Sequence, residues 1–396
     1  MGPSPAQRLI PIRTEFLQPG MYVAELDRSW LHSPFRDAGF LITGQDQIEQ
    51  LRQVCAYVYV DPALGDVAIG ERLTKPPGVP PARPATPLNA ARRLLQDALH
   101  EIAGIVRDAR RQGKVDVAAV GACATLLADQ VCSDADTLHL ALRLEEYGGY
   151  LYRRAVGTAV VAVTLGRQIG LDRPALRGMA AGGLLLDIGK IAVPIPILAK
   201  PLALHEAEQA YVRRHVERGM ELVAGSELPP RALEMIAGHH ERTDGSGYPH
   251  QLRGTQIPLF ARLAAIADAY DAMTLNRRYA AAISPHAALR QLDALRAERY
   301  DSALVNELVR ALGLYPVGTL LELSDGRLGV VCGQQPRHPL QPHLVITHDG
   351  ARRPLADPRV VTANGATEIV RSLPPSVATI DLGRLGSTLR SFHNAA

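Results

Sequence analysis

Between residues 180 and 274, four stretches each place an ionisable side chain on an otherwise apolar face. In AAGGLLLDIGK the apolar run ends on Asp187, with Lys190 three residues on. In EAEQAYVRRHVERGM, His215 shares a helical face with Tyr211, Val212 and Gly219. In RALEMIAGHH, His240 continues the face of Leu233, Ile236 and Ala237, with His239 beside it, and in LFARLAAIADAYDAM Asp268 stands among alanine, isoleucine and leucine. Burying even a neutral polar group without a partner costs roughly 2 to 7 kcal/mol, so these side chains need partners. Two carboxylates and three imidazoles brought together are a donor set for a divalent ion. Singly, each has a plainer reading: Asp187 and Lys190 form an i,i+3 ion pair, and His215 is a hydrogen-bonded core histidine. The coincidence of all of them favours a metal centre.

From His239 to Pro258 runs HHERTDGSGYPHQLRGTQIP, in which Gly245, Gly247 and Gly254 permit unusual backbone angles and Pro249 stiffens the chain. A loop of this make-up beside a metal centre suits a substrate or a partner. The alternative is a plain surface loop, which the doublet of histidines running into DGSGYP makes the weaker reading.

Helices must carry these groups, and the rest of the chain reads around them. At 396 residues there is room for more than one module. The apolar fraction of 47%, the charged fraction of 21% and the net charge of +3 are those of an ordinary globular protein and do not point to nucleic acid. Cys55, Cys123, Cys132 and Cys332 are far apart and form no CxxC pair, so they read as reduced, mostly buried thiols. The longest apolar stretch, Gly182 to Ala199, is interrupted by Asp187 and Lys190 and falls short of the ~18 to 20 uncharged residues of a membrane span. The start, MGPSPAQRLI, has no hydrophobic signal core, and Ala6 stands where a myristoylation motif wants Ser or Thr. A cytoplasmic protein without membrane insertion is the expectation.

Residues 1–65 read as a small α/β module, in which Tyr57 to Val60 form a strand stopped by Asp61-Pro62, and the aromatics Trp30 and Phe35 belong to its core or, as the weaker reading, to an interface. The proline-rich stretch at 66–87 is an extended linker. Helical spacing then predicts a long helix over about 88–111, with further helices at about 115–132, 134–146 and 150–169. Residues 88–146 are thus a helical connector, followed by the metal-bearing region at 147–314. Beyond it, runs split by Asp325-Gly326 and His348-Asp349-Gly350 suggest hairpins, so 315–396 is a small β-rich extension.

The blocks HHERTDGSGYP, LLLDIGK, PIPILAKP, the H-x-x-x-G of His215 and Gly219, and DAYDAMTLNRRY resemble the signatures of the HD-GYP family, in that family's order over about 165 residues. Residues 8–63 also resemble a small domain of unknown function often found ahead of HD-GYP domains. The resemblance implies a mainly α fold, an HD-type helical bundle, in a bacterial protein acting on cyclic di-GMP. It places metal ligands on Asp187, His215, His239, His240 and Asp268, with Asp187 and Lys190 at the catalytic position and Lys190 as a phosphate contact. Arg242, Asp244, Gly245, Gly247, Tyr248, Pro249, Arg253 and Arg277 form the substrate or partner loop, the arginines as candidate phosphate contacts.

Two positions depart from the family's pattern. Its first metal-binding histidine, in a stretch like Y-x-Y-R-H, corresponds to Arg154 of Tyr150-Leu151-Tyr152-Arg153-Arg154, and the histidine of the HD doublet corresponds to Leu186. One metal would rest on Arg154, Leu186, Asp187 and Asp268, where a fixed positive charge and a side chain without lone pairs replace two donors. The other would rest on Asp187, His215, His239 and His240. The expectation is therefore one iron, manganese or zinc ion instead of two, and weak or lost hydrolysis. Two readings of Arg154 stand side by side: it pairs with Asp187 and Asp268 in place of the absent ion, or it points to solvent. Function divides likewise, between a phosphodiesterase using one ion or a rebuilt pair and a non-catalytic receptor or scaffold that docks a GGDEF-type cyclase through Gly247-Tyr248-Pro249. A homodimer is compatible with either.

Overall fold

The computed structural model describes residues 10–14, 17–26, 39–55, 57–60, 64, 87–144, 149–198, 200, 202–276, 281–296, 298–335, 340–363 and 367–395. Trp30, Phe35, Arg277 and nearly all of the expected linker lie outside the described residues. The chain divides into two compact units, residues 1–82 and 83–396.

The first unit is an antiparallel sheet carrying one helix. Strands β1 (Ile10–Arg13), β2 (Tyr22–Leu26), β3 (Phe40–Leu41) and β4 (Tyr57–Val60) lie in the order β1-β4-β2-β3, and α1 (Gln45–Val54) precedes β4. Alternation along the strands turns Ile12, Val23, Val58 and Val60 inward, where they bury Ile48 and Leu51 of α1. The Gln47 side chain accepts from the Thr43 amide at 2.7 Å and so fixes the start of α1.

The second unit is mainly helical. It opens with α2 (Leu88–Gln112), which matches the expected helix over about 88–111, and α3 (Val117–Leu144), which spans the two segments expected at about 115–132 and 134–146. Within α3, Asp134 leaves helical geometry and its carboxylate caps the Thr137 amide at 3.0 Å, so the element is two helices joined at a kink. Among the described residues, α3 alone has the length and apolar composition to cross a membrane. An uncharged-window criterion passes over it because Asp129 and Asp134 interrupt it, and its Val120, Cys123, Leu127 and Val131 are buried in the helical core.

Next come α4 (Tyr150–Gln168), α5 (Arg173–Leu185), a 3₁₀ turn at Ile188–Ala192, and α6 (Ile195–Leu198), α7 (Glu206–Arg213), α8 (His215–Leu222) and α9 (Pro230–Gly238). The helical part closes with α10 (Leu259–Met273), α11 (Pro285–Leu295) and α12 (Ser302–Leu312). Capping is explicit: Asp172 accepts from the Ala175 amide at 2.8 Å, and Asp301 from those of Ala303 and Leu304. Helices α4, α5, α9 and α10 pack on one another. Helix α10 is apolar over most of its surface, which is why Asp268 stands out in its stretch.

A five-stranded antiparallel sheet ends the unit: β5 (Leu320–Leu323), β6 (Leu328–Gly333), β7 (His343–His348), β8 (Pro354–Thr362) and β9 (Ile369–Leu373), in the order β8-β7-β6-β5-β9. The hairpins turn at Asp325-Gly326 and at Asp349-Gly350, as expected. The extension does not end as sheet, however. Helix α13 (Leu382–Ala395) follows and packs on β7, β8 and α2, burying Leu385 and Leu389. All four cysteines are free thiols, with Cys55 and Cys123 buried and Cys132 and Cys332 half-buried.

Candidate metal centre

Asp187 follows the last turn of α5 and opens the 3₁₀ turn, while His215 opens α8. Gly189 lets these elements touch: a Cβ there would lie 2.0 Å from the His215 carbonyl oxygen and 2.5 Å from the Gly219 amide nitrogen. The turn thus lies directly against α8, and Asp187 Oδ1 comes within 3.3 Å of His215 Nε2. His239 and His240 continue α9 past its end, and His239 Nε2 lies 3.9 Å from the same oxygen. One ligand atom from each of Asp187, His215, His239 and His240 falls within 4.8 Å of the other three.

The tautomers follow from the backbone. His215 Nδ1 donates to the Val212 carbonyl at 2.8 Å and His239 Nδ1 to that of Ile236 at 3.0 Å. A carbonyl only accepts, so the proton sits on Nδ1 and Nε2 presents a lone pair. Burial pushes the His215 imidazole down to about 4, and lowers His239 and, more strongly, His240, so all three are neutral near pH 7. The two Nε2 atoms face each other at 3.3 Å without a hydrogen between them. Asp187 Oδ1 and His240 Nε2 are buried and have no hydrogen-bond donor. Burial alone would raise the Asp187 carboxyl, but Lys190 first, then His215, His239 and Arg154, hold it below the usual carboxylate range. Asp187 Oδ1 and the Nε2 atoms of His215 and His239 converge without a proton among them, and with His240 beside them they fit a divalent cation.

Lys190 Nζ donates to Asp187 Oδ2 at 2.7 Å. Asp268 is not among the four donors. It is paired with Arg154, which is 6% exposed and donates to the Asp268 carboxylate, to its carbonyl oxygen at 2.9 Å and to Asp271 Oδ2 at 3.0 Å. The solvent-facing reading of Arg154 is thereby excluded. Its second carboxylate partner is Asp271, and not Asp187 as expected, because Asp271 lies one turn beyond Asp268 on the face of α10 that meets α4. Arg143 adds a second cation 3.7 Å from Asp271 and donates to the Thr274 hydroxyl. Leu186 is buried in the apolar cluster that also holds Val161, Met179, Met235 and Leu263.

The loop after His240 is held by Glu241, whose carboxylate accepts from the amides of His250 at 2.7 Å and Leu252 at 3.0 Å. Asp244 pairs with Arg253 across an isolated bridge and accepts from the Ser246 amide; Gly245 lies under the Arg253 side chain. Gly247 is buried against the backbone of 240–242, and Tyr248-Pro249 returns over the histidines. The Tyr248 ring stacks on His240, with centroids 4.5 Å apart. Arg242, expected as a phosphate contact, instead donates to the carbonyls of His239 and Glu241 and lies over Tyr300. Asp271, Glu241 and Arg213, whose guanidinium lies over Tyr248, went unnoticed in the sequence. Only their places, beside Asp268, His240 and His215, could have flagged them.

Residues 139–304 match the HD domain family, and residues 9–120 match a domain of unknown function (DUF3391). A cyclic di-GMP phosphodiesterase of Pseudomonas aeruginosa is 33% identical over 388 residues, covering 94% of this chain and 89% of the relative. The chain belongs to the HD-GYP family. Two further relatives match shorter stretches. A cyclic di-GMP phosphodiesterase response regulator of Xanthomonas campestris pv. campestris is 41% identical over 38% of this chain and 40% of its own. A 3'3'-cGAMP-specific phosphodiesterase of Vibrio cholerae is 39% identical over 32% of this chain and 24% of its own. The clustered residues of this HD-GYP chain all lie in the signature blocks read above.

Proposed function

We propose that this chain is a cyclic di-GMP signalling protein whose centre takes one divalent ion, iron, manganese or zinc, and whose phosphodiesterase activity is weak or lost. One observation carries the reading: the Arg154 guanidinium is bonded to Asp268 and Asp271, so a fixed cation stands where a ligand is expected. Asp187, His215, His239 and His240 are the residues to hold the ion. Bound there, it supplies Lewis acidity towards water and phosphoryl oxygens. Lys190 keeps Asp187 ionised and, having three N–H donors, has others to offer a phosphate. Arg154 balances the α10 acids but, lacking a lone pair, cannot complete a second metal position. Loss of even one preorganised hydrogen-bond donor costs roughly 100- to 1000-fold in rate, and a missing bridging ion costs more.

A phosphodiesterase working with a single ion is the second reading, favoured by the complete four-donor set. Metal content per chain and product formation from cyclic di-GMP, after loading with iron or manganese, separate the two. Wild type is expected to hold one ion and give little linear dinucleotide, and Arg154→His/Leu186→His to gain an ion and turnover. Rapid wild-type turnover would establish the second reading, and a variant with two ions but no turnover would refute this account of the weak activity.

A further inference from the structure

The stretch around His215 carries three arginines, and the structure treats them differently. Arg214 is paired with Glu217 at 3.7 Å. Arg218 donates to the Ala192 carbonyl at 3.4 Å and lies over Tyr211 at 4.4 Å. Arg213 has no carboxylate or carbonyl partner among the described residues. It is exposed, and its guanidinium carbon lies 5.1 Å from the centre of the Tyr248 ring. Tyr248 is itself part of the metal pocket, stacked on His240 and meeting His215 edge-on at 6.4 Å. The ring thus holds the exposed guanidinium beside the histidine cluster, and a cation over a π face keeps N–H donors for a further partner.

Of the other cations near the pocket, Arg242 is engaged with two backbone carbonyls and Arg154 with two buried acids, while Lys190 is tied to Asp187 among the metal donors. A cyclic dinucleotide carries two phosphodiester anions, and only one of them reacts at a time. We propose that Arg213 binds the non-reacting phosphate of the cyclic dinucleotide through its guanidinium fork, with Tyr248 as the platform that orients it. The inference rests on the cyclic di-GMP reading above and adds a residue to it.

The test is equilibrium binding of cyclic di-GMP to the full chain at several salt concentrations, for wild type, Arg213→Gln and Arg213→Lys. Arg213→Gln is expected to weaken binding roughly 10- to 100-fold, as loss of charge-assisted hydrogen bonds does. It should also flatten the salt dependence, because one phosphate loses its counter-charge. Arg213→Lys keeps that salt slope and recovers part of the affinity. Metal content and melting temperature stay at wild-type values, since Arg213 is exposed and holds no neighbour in place. Wild-type affinity in Arg213→Gln would overturn the proposal, and so would loss of bound metal in that variant. Weakened binding with an unchanged salt slope would move the contact to a base edge and also overturn it. A wild-type chain that binds no cyclic di-GMP would instead overturn the proposed function.

Discussion

Gly157 lies directly beneath the Asp271 carboxylate: a Cβ at position 157 would fall 2.2 Å from Oδ1 and 2.8 Å from Cγ. Gly157 is three residues on from Arg154 in α4, so the same stretch of helix that donates to Asp271 also makes room for it. Gly157→Ala should displace Asp271 and cost about 1 to 3 kcal/mol of stability, the usual range for overpacking. Urea denaturation measures this; a variant as stable as wild type would show that α4 and α10 can separate freely.

Removing the guanidinium is a different perturbation from moving it. Arg154→Ala takes the bonded cation away from the buried Asp268 and Asp271 and leaves Arg143 3.7 Å from Asp271, at a cost of about 3 to 5 kcal/mol for breaking a buried pair. Burial already raises the Asp271 carboxyl, against the pull of Arg154 and Arg143. Without Arg154 it rises further, so the folded variant takes up protons more readily than the unfolded chain and its deficit shrinks as pH falls. Melting curves of both proteins at pH 7 and pH 5 test the trend; a deficit that grows on acidification contradicts it.

Acid weakens the fold itself through His139. Burial, with a smaller contribution from Arg143, pushes its imidazole down to about 3, and its Nε2 bonds the Thr164 hydroxyl at 2.9 Å. A histidine whose folded pKa is depressed is protonated first in the unfolded chain. Stability is therefore lost as pH drops from about 6.5 towards 3, by up to roughly 1.4 kcal/mol per unit through this group. Denaturation of His139→Gln at pH 7, 6 and 5 should show a shallower decline than wild type.

Glu241 gives a local effect. With Glu241→Ala the amides of His250 and Leu252 lose an ionised acceptor, each such bond being worth about 1.5 to 3 kcal/mol. Hydrogen exchange should accelerate at these two amides, with metal content preserved because His239 and His240 are set by α9. Loss of metal in the variant would mean that the loop, and not the helix, positions the histidines.

Chelation should act globally. With the ion removed, the facing Nε2 atoms of His215 and His239 and the donor-less Asp187 Oδ1 are left uncompensated. The melting temperature is expected to rise with added manganese or iron by mass action in wild type and to stay flat in His215→Ala.

The four donors were legible because each interrupts an apolar face, and a buried side chain that ionises announces its need for a partner. The break near Asp134 was legible for a similar local reason, since a carboxylate three residues before Thr137 is capping chemistry. Long-range choices were not. Spacing places Asp268 and Asp271 one turn apart but does not say that both turn to α4, so the second partner of Arg154 was misassigned. Arg242 looked like a free cation because its bonds go to main-chain carbonyls, which carry no sequence signal. Helix α13 was missed because Gly383 and Gly386 weaken its helical pattern, and it is held by Leu385 and Leu389 against the rest of the unit.

The counter-charge at Asp268 and Asp271 is built into the polypeptide. A guanidinium is not stripped by a chelator, does not change oxidation state and does not lose its proton at any physiological acidity. That half of the pocket therefore keeps its charge balance whatever divalent cations are at hand, and under the proposed function only the histidine-lined half would respond to their scarcity.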